Sequence, residues 1–349
     1  MLDFEMPTLI DCGESRLGPT KQVIFPGTSY SGFVAPVSLP SRIERHNGHL
    51  FAVAVSALVS FTLMRPAKST RDDYLVGSEL RENDFTTLGL QFPVLTAGPG
   101  AHECRLSVQT LENYSRSLSN VTSLLYNLPY EDYLRVIRAV RLAQLAHNSK
   151  RDDFSLAYYL LVSAIETAAQ KAVRRKVVAE KHPQEDAWRS ASKNNPTIKA
   201  LLTAYLQEKG KSQYLRKRFV KFILDYCPPS QWADLEHPMS NLVSYLQELG
   251  RSDQHEHLTT KRWDEIYPSD LPENLISEVL SDLYKTRSNF THEGAAPPHR
   301  NPISYNRYFD IEIEYDQDTE ELRELLLPNF RLISFMAQRS ILSFAQSRL

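Results

Sequence analysis

The run from Phe154 to Ala169, FSLAYYLLVSAIETAA, constrains the fold more than any other part of this sequence. It carries a single charged side chain, Glu166, and apolar residues fall on nearly every face of the helix that it would form. A helix that is apolar all round must be covered on all sides. We therefore predict the central buried helix of a bundle, reaching from Phe154 to Val178 with Asp152 or Asp153 as its N-cap.

Neighbouring segments have the periodicity of helices that pack on this one. Apolar residues recur at three- and four-residue intervals in Tyr130–His147 and in Leu271–Glu293, which lies between a predicted cap at Asp270 and a stop at Gly294. Tyr308–Tyr315 alternates apolar and acidic residues, which predicts a strand or an extended loop. The remaining predicted helices are 196–208, 212–226, 241–249 and a closing helix over 319–347 that is broken or kinked at Pro328.

The first third of the chain has a different composition. Residues 1–45 are rich in Pro, Gly, Ser and Thr, with β-like runs at Gln22–Phe25 and Gly32–Val37, and His49–Met64 predicts a buried helix. The 349 residues suit about two domains. We expect a mainly α protein, with a smaller α/β or β-rich module over residues 1–120 and a helical domain over 121–349.

Composition narrows the class of protein. The net charge of −2 excludes a uniformly basic nucleic-acid coat protein. Three separated cysteines without a CxxC pair argue against a disulfide framework or a cysteine-rich zinc site. Common phosphate-loop and HExxH signatures are absent, so no cofactor or metal is expected. The longest uncharged apolar stretch is Leu50–Met64, shorter than the ~20 residues of a membrane span. We expect a cytoplasmic protein without a membrane partner.

One segment, LYKTRSNFTHEG over residues 283–294, places Arg287 and His292 five positions apart near the end of a predicted helix. It resembles the R-x4-6-H signature of the HEPN superfamily. The earlier helix with its lone Glu166, roughly a hundred residues upstream, is similar to the acid-bearing long helix of the Apea-like branch. The resemblance covers about residues 125–349. One departure is Ser288, which follows Arg287 where active members usually have Asn, Asp or His.

The resemblance implies a metal-independent RNA endonuclease of prokaryotic defence or stress response, in which the ribose 2′-hydroxyl is the nucleophile. His292 would act as general acid and base, and Arg287 would stabilise phosphate charge. Asn289 or Ser288 would orient the RNA backbone, and Glu166 would orient Arg287 or His292. The residues alone allow plainer roles: Arg287 and Glu166 in structural ion pairs, and His292 capping its helix.

Positions five apart on a helix differ by about 140°, so Arg287 and His292 do not share one face. Either the helix loosens near Thr291 or both side chains reach a groove from its edges. The family's arrangement is a homodimer with a composite active site, which we therefore expect here. The N-terminal module would sense a trigger, phage-derived or a nucleotide, or would hold the nuclease in check. An inactive HEPN-fold protein that binds a nucleotide or RNA is the alternative interpretation, and Ser288 favours it.

RNA requires positive charge along its path. A block without intervening acids supplies it, with Tyr205 and Tyr214 nearby for base stacking; the block could equally be a solvated helix face. Its six cations are Lys209, Lys211, Arg216, Lys217, Arg218 and Lys221. A metal-dependent hydrolase remains a third possibility, although loop residues and a wet strand face explain the same positions. Its ligands would be His255, His257, Asp310, Glu312, Glu314 and Asp316.

Overall fold

A computed structural model defines the fold. It describes residues 1–28, 30–69, 81–95, 105–179, 181–211, 214–251, 255–297, 304–316 and 320–349, and only the backbone of residues 210, 211, 314 and 316. The helices are α1 (Gly48–Leu63), α2 (Glu82–Gln91), α3 (Val108–Asn127), α4 (Tyr130–Ser149), α5 (Phe154–Ala172), α6 (Arg175–Val178), α7 (Glu185–Ala191), α8 (Pro196–Lys211), α9 (Leu215–Tyr226), α10 (Ser240–Glu248), α11 (Glu273–Glu293) and α12 (Phe330–Gln346). The strands are β1 (Ile10–Cys12), β2 (Ser15–Leu17), β3 (Lys21–Ile24), β4 (Ser31–Val34), β5 (Phe309–Asp316) and β6 (Glu321–Pro328).

Helix α5 is the centre of the bundle, as its sequence predicts. It packs against α4, α9, α11 and α12, and Leu161, Val162 and Ile165 are fully buried. The Asp153 carboxylate accepts a hydrogen bond of 2.9 Å from the Leu156 amide, which confirms the predicted N-cap. The prediction of a helical fold with a small β module is also confirmed.

The predicted end of this helix at Val178 is wrong. Helix α5 ends at Ala172, and the separate short helix α6 follows. The side chain of Arg218, from α9, donates hydrogen bonds to the carbonyl oxygens of Val173 (2.8 Å) and Gln170. A cation from another helix thus satisfies the end of α5, where the helix dipole is negative.

The N-terminal residues form two antiparallel hairpins: β1–β2, whose β1 packs on α3, and β3–β4, which packs on α2. The last half of α1, Val55–Leu63, is buried and packs on α3 and α4. Gln338 of α12 donates hydrogen bonds to the carbonyl oxygens of Phe61 (3.1 Å) and Thr62 at the end of α1. Buried side chains on both sides of residue 120 belong to one cluster, and residue 120 itself lies inside α3. The predicted boundary therefore does not coincide with a break in the core.

The predicted closing helix over 319–347 is wrong in its first part. Residues 321–328 form β6, which pairs in antiparallel register with β5 from Phe309↔Pro328 to Asp316↔Glu321. Helix α12 then begins at Phe330, with the Asn329 side chain accepting a hydrogen bond of 2.9 Å from the Leu332 amide. The sequence ELRELLLP favours a helix by propensity, but pairing with β5, which is rich in residues that favour strands, overrides that preference.

Within the described residues, one helical segment, 45–63, is long and apolar enough to cross a membrane by length and composition alone. Its mean hydropathy is 1.2, and 44% of the tested window is buried inside the protein. Its buried half is part of the same core as α3 and α4.

Candidate active site around Glu166 and Arg287

The structure brings Glu166 of α5 against Arg287 of α11, 121 positions apart in sequence. The Glu166 Oε2 atom lies 3.1 Å from Arg287 Nη2, and their side chains are 6% and 21% exposed. An ion pair enclosed to this extent is screened little by solvent, so the carboxylate fixes the position of the guanidinium.

The other carboxylate oxygen of Glu166 is also engaged. Oε1 accepts hydrogen bonds from Gln170 Nε2 at 3.1 Å and from the Tyr284 hydroxyl at 3.3 Å. Burial, together with the Glu166 charge, raises the pKa of Tyr284 to about 12, so this phenol stays protonated as a donor. Both carboxylate oxygens of Glu166 are therefore engaged, one by Arg287 and the other by Gln170 and Tyr284.

An aromatic wall covers one side of Arg287. The guanidinium carbon lies 5.5 Å from the centre of the Tyr159 ring, which stacks on Phe290 at a centroid distance of 5.1 Å. The Arg287 Nε atom is buried, and no hydrogen-bond acceptor among the described residues faces it. Arg287 thus has one terminal nitrogen fixed by Glu166, one face on an aromatic ring and one donor unsatisfied.

His292 lies near the C-terminal end of α11 and is exposed to solvent. The helix continues to Glu293 and ends at Gly294, whose φ of 68° is left-handed and suits glycine. The Thr291 hydroxyl donates a hydrogen bond of 3.0 Å to the Arg287 carbonyl within the helix. Helix α11 therefore does not loosen near Thr291, and that Arg287 and His292 reach a groove from its edges stays a prediction.

Asn289 and Ser288 are half-buried on the same turn as Arg287. The carbonyl of Asn289 accepts the backbone amide of Ala295 at 3.5 Å, as part of the stop at Gly294. No side-chain hydrogen bond joins either residue to the part of the chain that the structure describes, and no such contact joins Glu166 to His292. Of the predicted catalytic set, Glu166 and Arg287 are in contact.

The six predicted RNA-binding cations have different surroundings. Arg218 is 8% exposed and holds the end of α5, so the prediction that it lies on an RNA surface is wrong. Lys209 pairs with Glu185 at 2.5 Å and Lys221 with Asp225 at 3.1 Å. Arg216 is exposed and Lys217 half-buried, whereas the side chain of Lys211 lies outside those described.

Lys209 belongs to a small cluster on the α7–α8 hairpin. Glu185, 4% exposed, accepts from both Lys209 and Arg189, and these cations lower its pKa to about 2. Tyr205 packs edge-on against Trp188, with a centroid distance of 5.3 Å. The phenol predicted for base stacking is thus part of the packing that holds this hairpin together.

The alternative metal ligands are not brought together as a set. His255 and His257 lie at a short 3-10 helix, Glu256–Thr259. Asp310 accepts hydrogen bonds from Ser304 and from Asn306 (3.4 Å), and burial raises its pKa. Across the described residues, no three His, Cys, Asp or Glu side chains form a group that could hold a metal ion. The side chains of Glu314 and Asp316 lie outside that set.

Two supports of the site were not predicted from sequence, although helical spacing offered a signal for both. Gln170 follows Glu166 by four positions and so shares a helix face with it, while Tyr284 precedes Arg287 by three and lies on the face of α11 that bears Arg287. Comparison with protein-family models, curated proteins and solved structures finds no match to this chain. We therefore base the functional proposal on the geometry of the site and on the resemblance of its motif.

Proposed function

We propose that this protein is a metal-independent RNA endonuclease of the HEPN type. The observation that carries the proposal is the pairing of Arg287 with the buried Glu166, on the helix whose exposed end bears His292. A guanidinium that is already oriented loses little freedom when it binds a phosphate, and it remains charged at every physiological pH. An exposed imidazole at the end of the same helix can exchange protons with substrate.

The chemistry follows from these two groups. The ribose 2′-oxygen attacks the adjacent phosphorus and loses its proton, the bond from phosphorus to the 5′-oxygen breaks, and that oxygen gains a proton. The products are a 2′,3′-cyclic phosphate and a 5′-hydroxyl. His292 moves the proton and Arg287 stabilises the charge on the phosphate oxygens, while Asn289 or Ser288 orients the RNA backbone.

A homodimer would bring Arg287 and His292 to the same cleft. On a regular helix, Arg287 and His292 are about 140° apart around the helix axis and about 7.5 Å apart along it. A cleft between two α11 helices would therefore receive Arg287 from one copy and His292 from the other. The β5–β6 hairpin, whose β6 packs against α11, carries an exposed apolar row that offers contact area for a second copy. Its members are Ile311, Ile313, Tyr315 and Leu322.

The exposed Arg216 and its neighbour Lys217 would provide part of the positive path for RNA, together with Lys209 and Lys221. The cellular setting that we propose is cytoplasmic, in prokaryotic defence or stress response, with a phage-derived or nucleotide trigger acting through the N-terminal residues. The chain's resemblance to Apea-like HEPN proteins supports this setting.

Cleavage of tRNA and mRNA in EDTA tests the proposal. The parent protein should cut RNA, leave cyclic phosphate ends and spare a substrate with 2′-deoxyribose at the cleaved position. Arg287→Ala and His292→Ala should each lower the rate at least about a hundredfold. Matched controls are Arg138→Ala, on the exposed face of α4, and His257→Ala, which should retain the parent rate.

Two results would contradict the proposal: uncut RNA at protein concentrations where the dimer forms, or full activity in His292→Ala. Ile313→Glu tests the dimer, because a charge in the apolar row should shift the protein to a monomer in sedimentation experiments and abolish cleavage. Ile24→Glu, at a comparably exposed apolar residue of β3, is its control.

The second candidate is a catalytically inactive HEPN-fold protein that binds a nucleotide or RNA. Ser288 and the engagement of Arg287 with both Glu166 and Tyr159 favour it, because a fixed arginine suits static binding as well as catalysis. Retained RNA binding by a parent protein that cuts no RNA, with equal binding by His292→Ala, would support this candidate.

A further inference from the structure

A concave surface outside the candidate active site lies at the C-terminal end of α5, where the ends of α9 and α12 meet it. The cavity has a volume of about 360 Å³. Lys171 and Arg174 line it from the end of α5, Arg348 lines it from the end of α12, and Tyr226 and Phe344 form an aromatic wall with centroids 5.8 Å apart. Cavities that hold small ligands span about 300–1,000 Å³, so this one suits a small ligand.

Three cations line this cavity, and an acid lies behind one of them. Arg348 Nε donates to Asp132 Oδ2 of α4 at 2.9 Å; the Asp132 side chain is 5% exposed and does not line the cavity. This hydrogen bond uses Nε, which leaves the terminal nitrogens of Arg348 for another acceptor. Asp132 thus orients Arg348 while most of the cavity's charge stays unneutralised.

The end of α5 would ordinarily disfavour an anion, because its last carbonyl groups are partly negative. Arg218 removes this obstacle by donating to the carbonyl oxygens of Gln170 and Val173, at the turn from which Lys171 and Arg174 project. As a cap on this helix end, Arg218 therefore favours anion binding next to it.

Two residues that line the cavity, Lys171 and Arg174, also belong to a strongly positive segment of the chain. Residues 171–221 hold 14 lysines and arginines against four acids, a net charge of +10. Because the whole chain has a net charge of −2, the other residues carry −12. An excess of positive charge raises the local concentration of anions around the segment that holds Lys171 and Arg174.

We propose that the cavity formed by Lys171, Arg174 and Arg348 binds a phosphate group. Two arginines and a lysine present planar forks and a point charge, the donor set that phosphate oxygens accept. The phosphate belongs either to a free nucleotide or to an RNA backbone. The site does not include Arg287 or His292, and its occupancy does not depend on RNA cleavage.

Binding of three probes tests the proposal: inorganic phosphate, AMP and a 12-nucleotide single-stranded RNA. Calorimetry at constant ionic strength measures each dissociation constant, and the His292→Ala protein is used with RNA so that any cleavage is suppressed. The double variant Lys171→Ala/Arg174→Ala should bind at least tenfold more weakly. Both side chains are exposed, so the fold should persist, which the Tm without ligand verifies. Lys193→Ala, exposed in the same basic region but outside the cavity, is the matched control.

Phosphate and AMP binding that the double variant loses would support the proposal and identify a free phosphate compound as the ligand. Binding of RNA alone, also abolished in the double variant, would support it and identify the RNA backbone. Equal affinities in the parent and the double variant would overturn the proposal, as would a parent protein that binds none of the three probes.

Discussion

The charged residues around α5 and those on the outer surfaces of α8 and α9 are of the same chemical kinds, yet the fold uses them differently. Around α5, Glu166, Arg218 and Arg287 are enclosed and bound to partners from other helices. On the outside, Arg216 is exposed to water. Arg216 and Arg218 are two positions apart in sequence, which shows that adjacency in sequence does not imply equal availability to a ligand.

The largest expected effect concerns an enclosed histidine. Burial, with Lys150 nearby, lowers the pKa of His147 to about 3, against 6.5 when it is solvated. Between these values the unfolded chain binds a proton that the folded protein does not, so stability falls as the pH falls below about 6.5. The loss should be about 1.4 kcal/mol per pH unit from this residue.

Urea unfolding at pH 7, 6, 5 and 4 measures this loss. His147→Gln cannot take up the proton and should show a shallower pH dependence than the parent, whereas the exposed His182→Gln should match the parent. Parallel pH profiles for the parent and His147→Gln would contradict the assignment.

The next effect should come from Arg218. Arg218→Ala removes the donors that satisfy the last carbonyls of α5 and leaves those carbonyls enclosed, so the free energy of unfolding should fall by about 2–4 kcal/mol. Arg216→Ala is the matched control, two positions away and exposed, and should change stability by less than about 0.5 kcal/mol. Equal effects from the two substitutions, measured by urea unfolding, would remove the distinction between enclosed and exposed cations.

The pair of Glu166 and Arg287 should show an intermediate effect. A double-mutant cycle with Glu166→Gln and Arg287→Gln should give a coupling energy of about 1–2 kcal/mol, because the pair is mostly enclosed but Arg287 keeps some contact with water. A cycle on Arg262 and Asp264, a more exposed ion pair, should give less than about 1 kcal/mol. Similar coupling energies in both cycles would show that the enclosure of Glu166 does not strengthen its ion pair with Arg287.

The smallest effect on stability should come from two cations of α9, whose removal should instead change the salt dependence of RNA binding. Arg216→Ala and Lys217→Ala together should reduce the slope of log binding constant against log salt by about 0.7 for each phosphate that the protein no longer neutralises. Filter binding at several salt concentrations, in the His292→Ala background, gives the slope. An unchanged slope would place the RNA path elsewhere on the molecule.

Much of the helical fold could be predicted because its causes are local. The apolar run of α5, the cap at Asp153 and the stop at Gly294 depend on residues within a few positions. The strand β6 could not be predicted in this way, because its leucines and glutamates favour a helix until β5 lies opposite. Local pattern and long-range pairing conflict there, and the pairing prevails.

The candidate site divides in the same manner. The R-x4-H spacing and the resemblance that it supports single out Arg287, His292 and Glu166, but the contact between Glu166 and Arg287 depends on how α5 and α11 pack. Arg218 shows the opposite failure: it lies in a basic run, yet its helix turns it toward the end of α5. No sequence pattern predicts the cavity of Lys171, Arg174 and Arg348, because its walls come from the ends of three helices that are distant in sequence.

The hydrogen bonds from Gln338 to the end of α1 join residues that are about 277 positions apart. Because these ends of the chain complete each other's packing, a ribosome has made most of the polypeptide before the core can close. If the chain is divided near residue 120, neither fragment made alone should fold to this structure, because each lacks part of the shared core. Co-expressed fragments should fold only by assembling with each other.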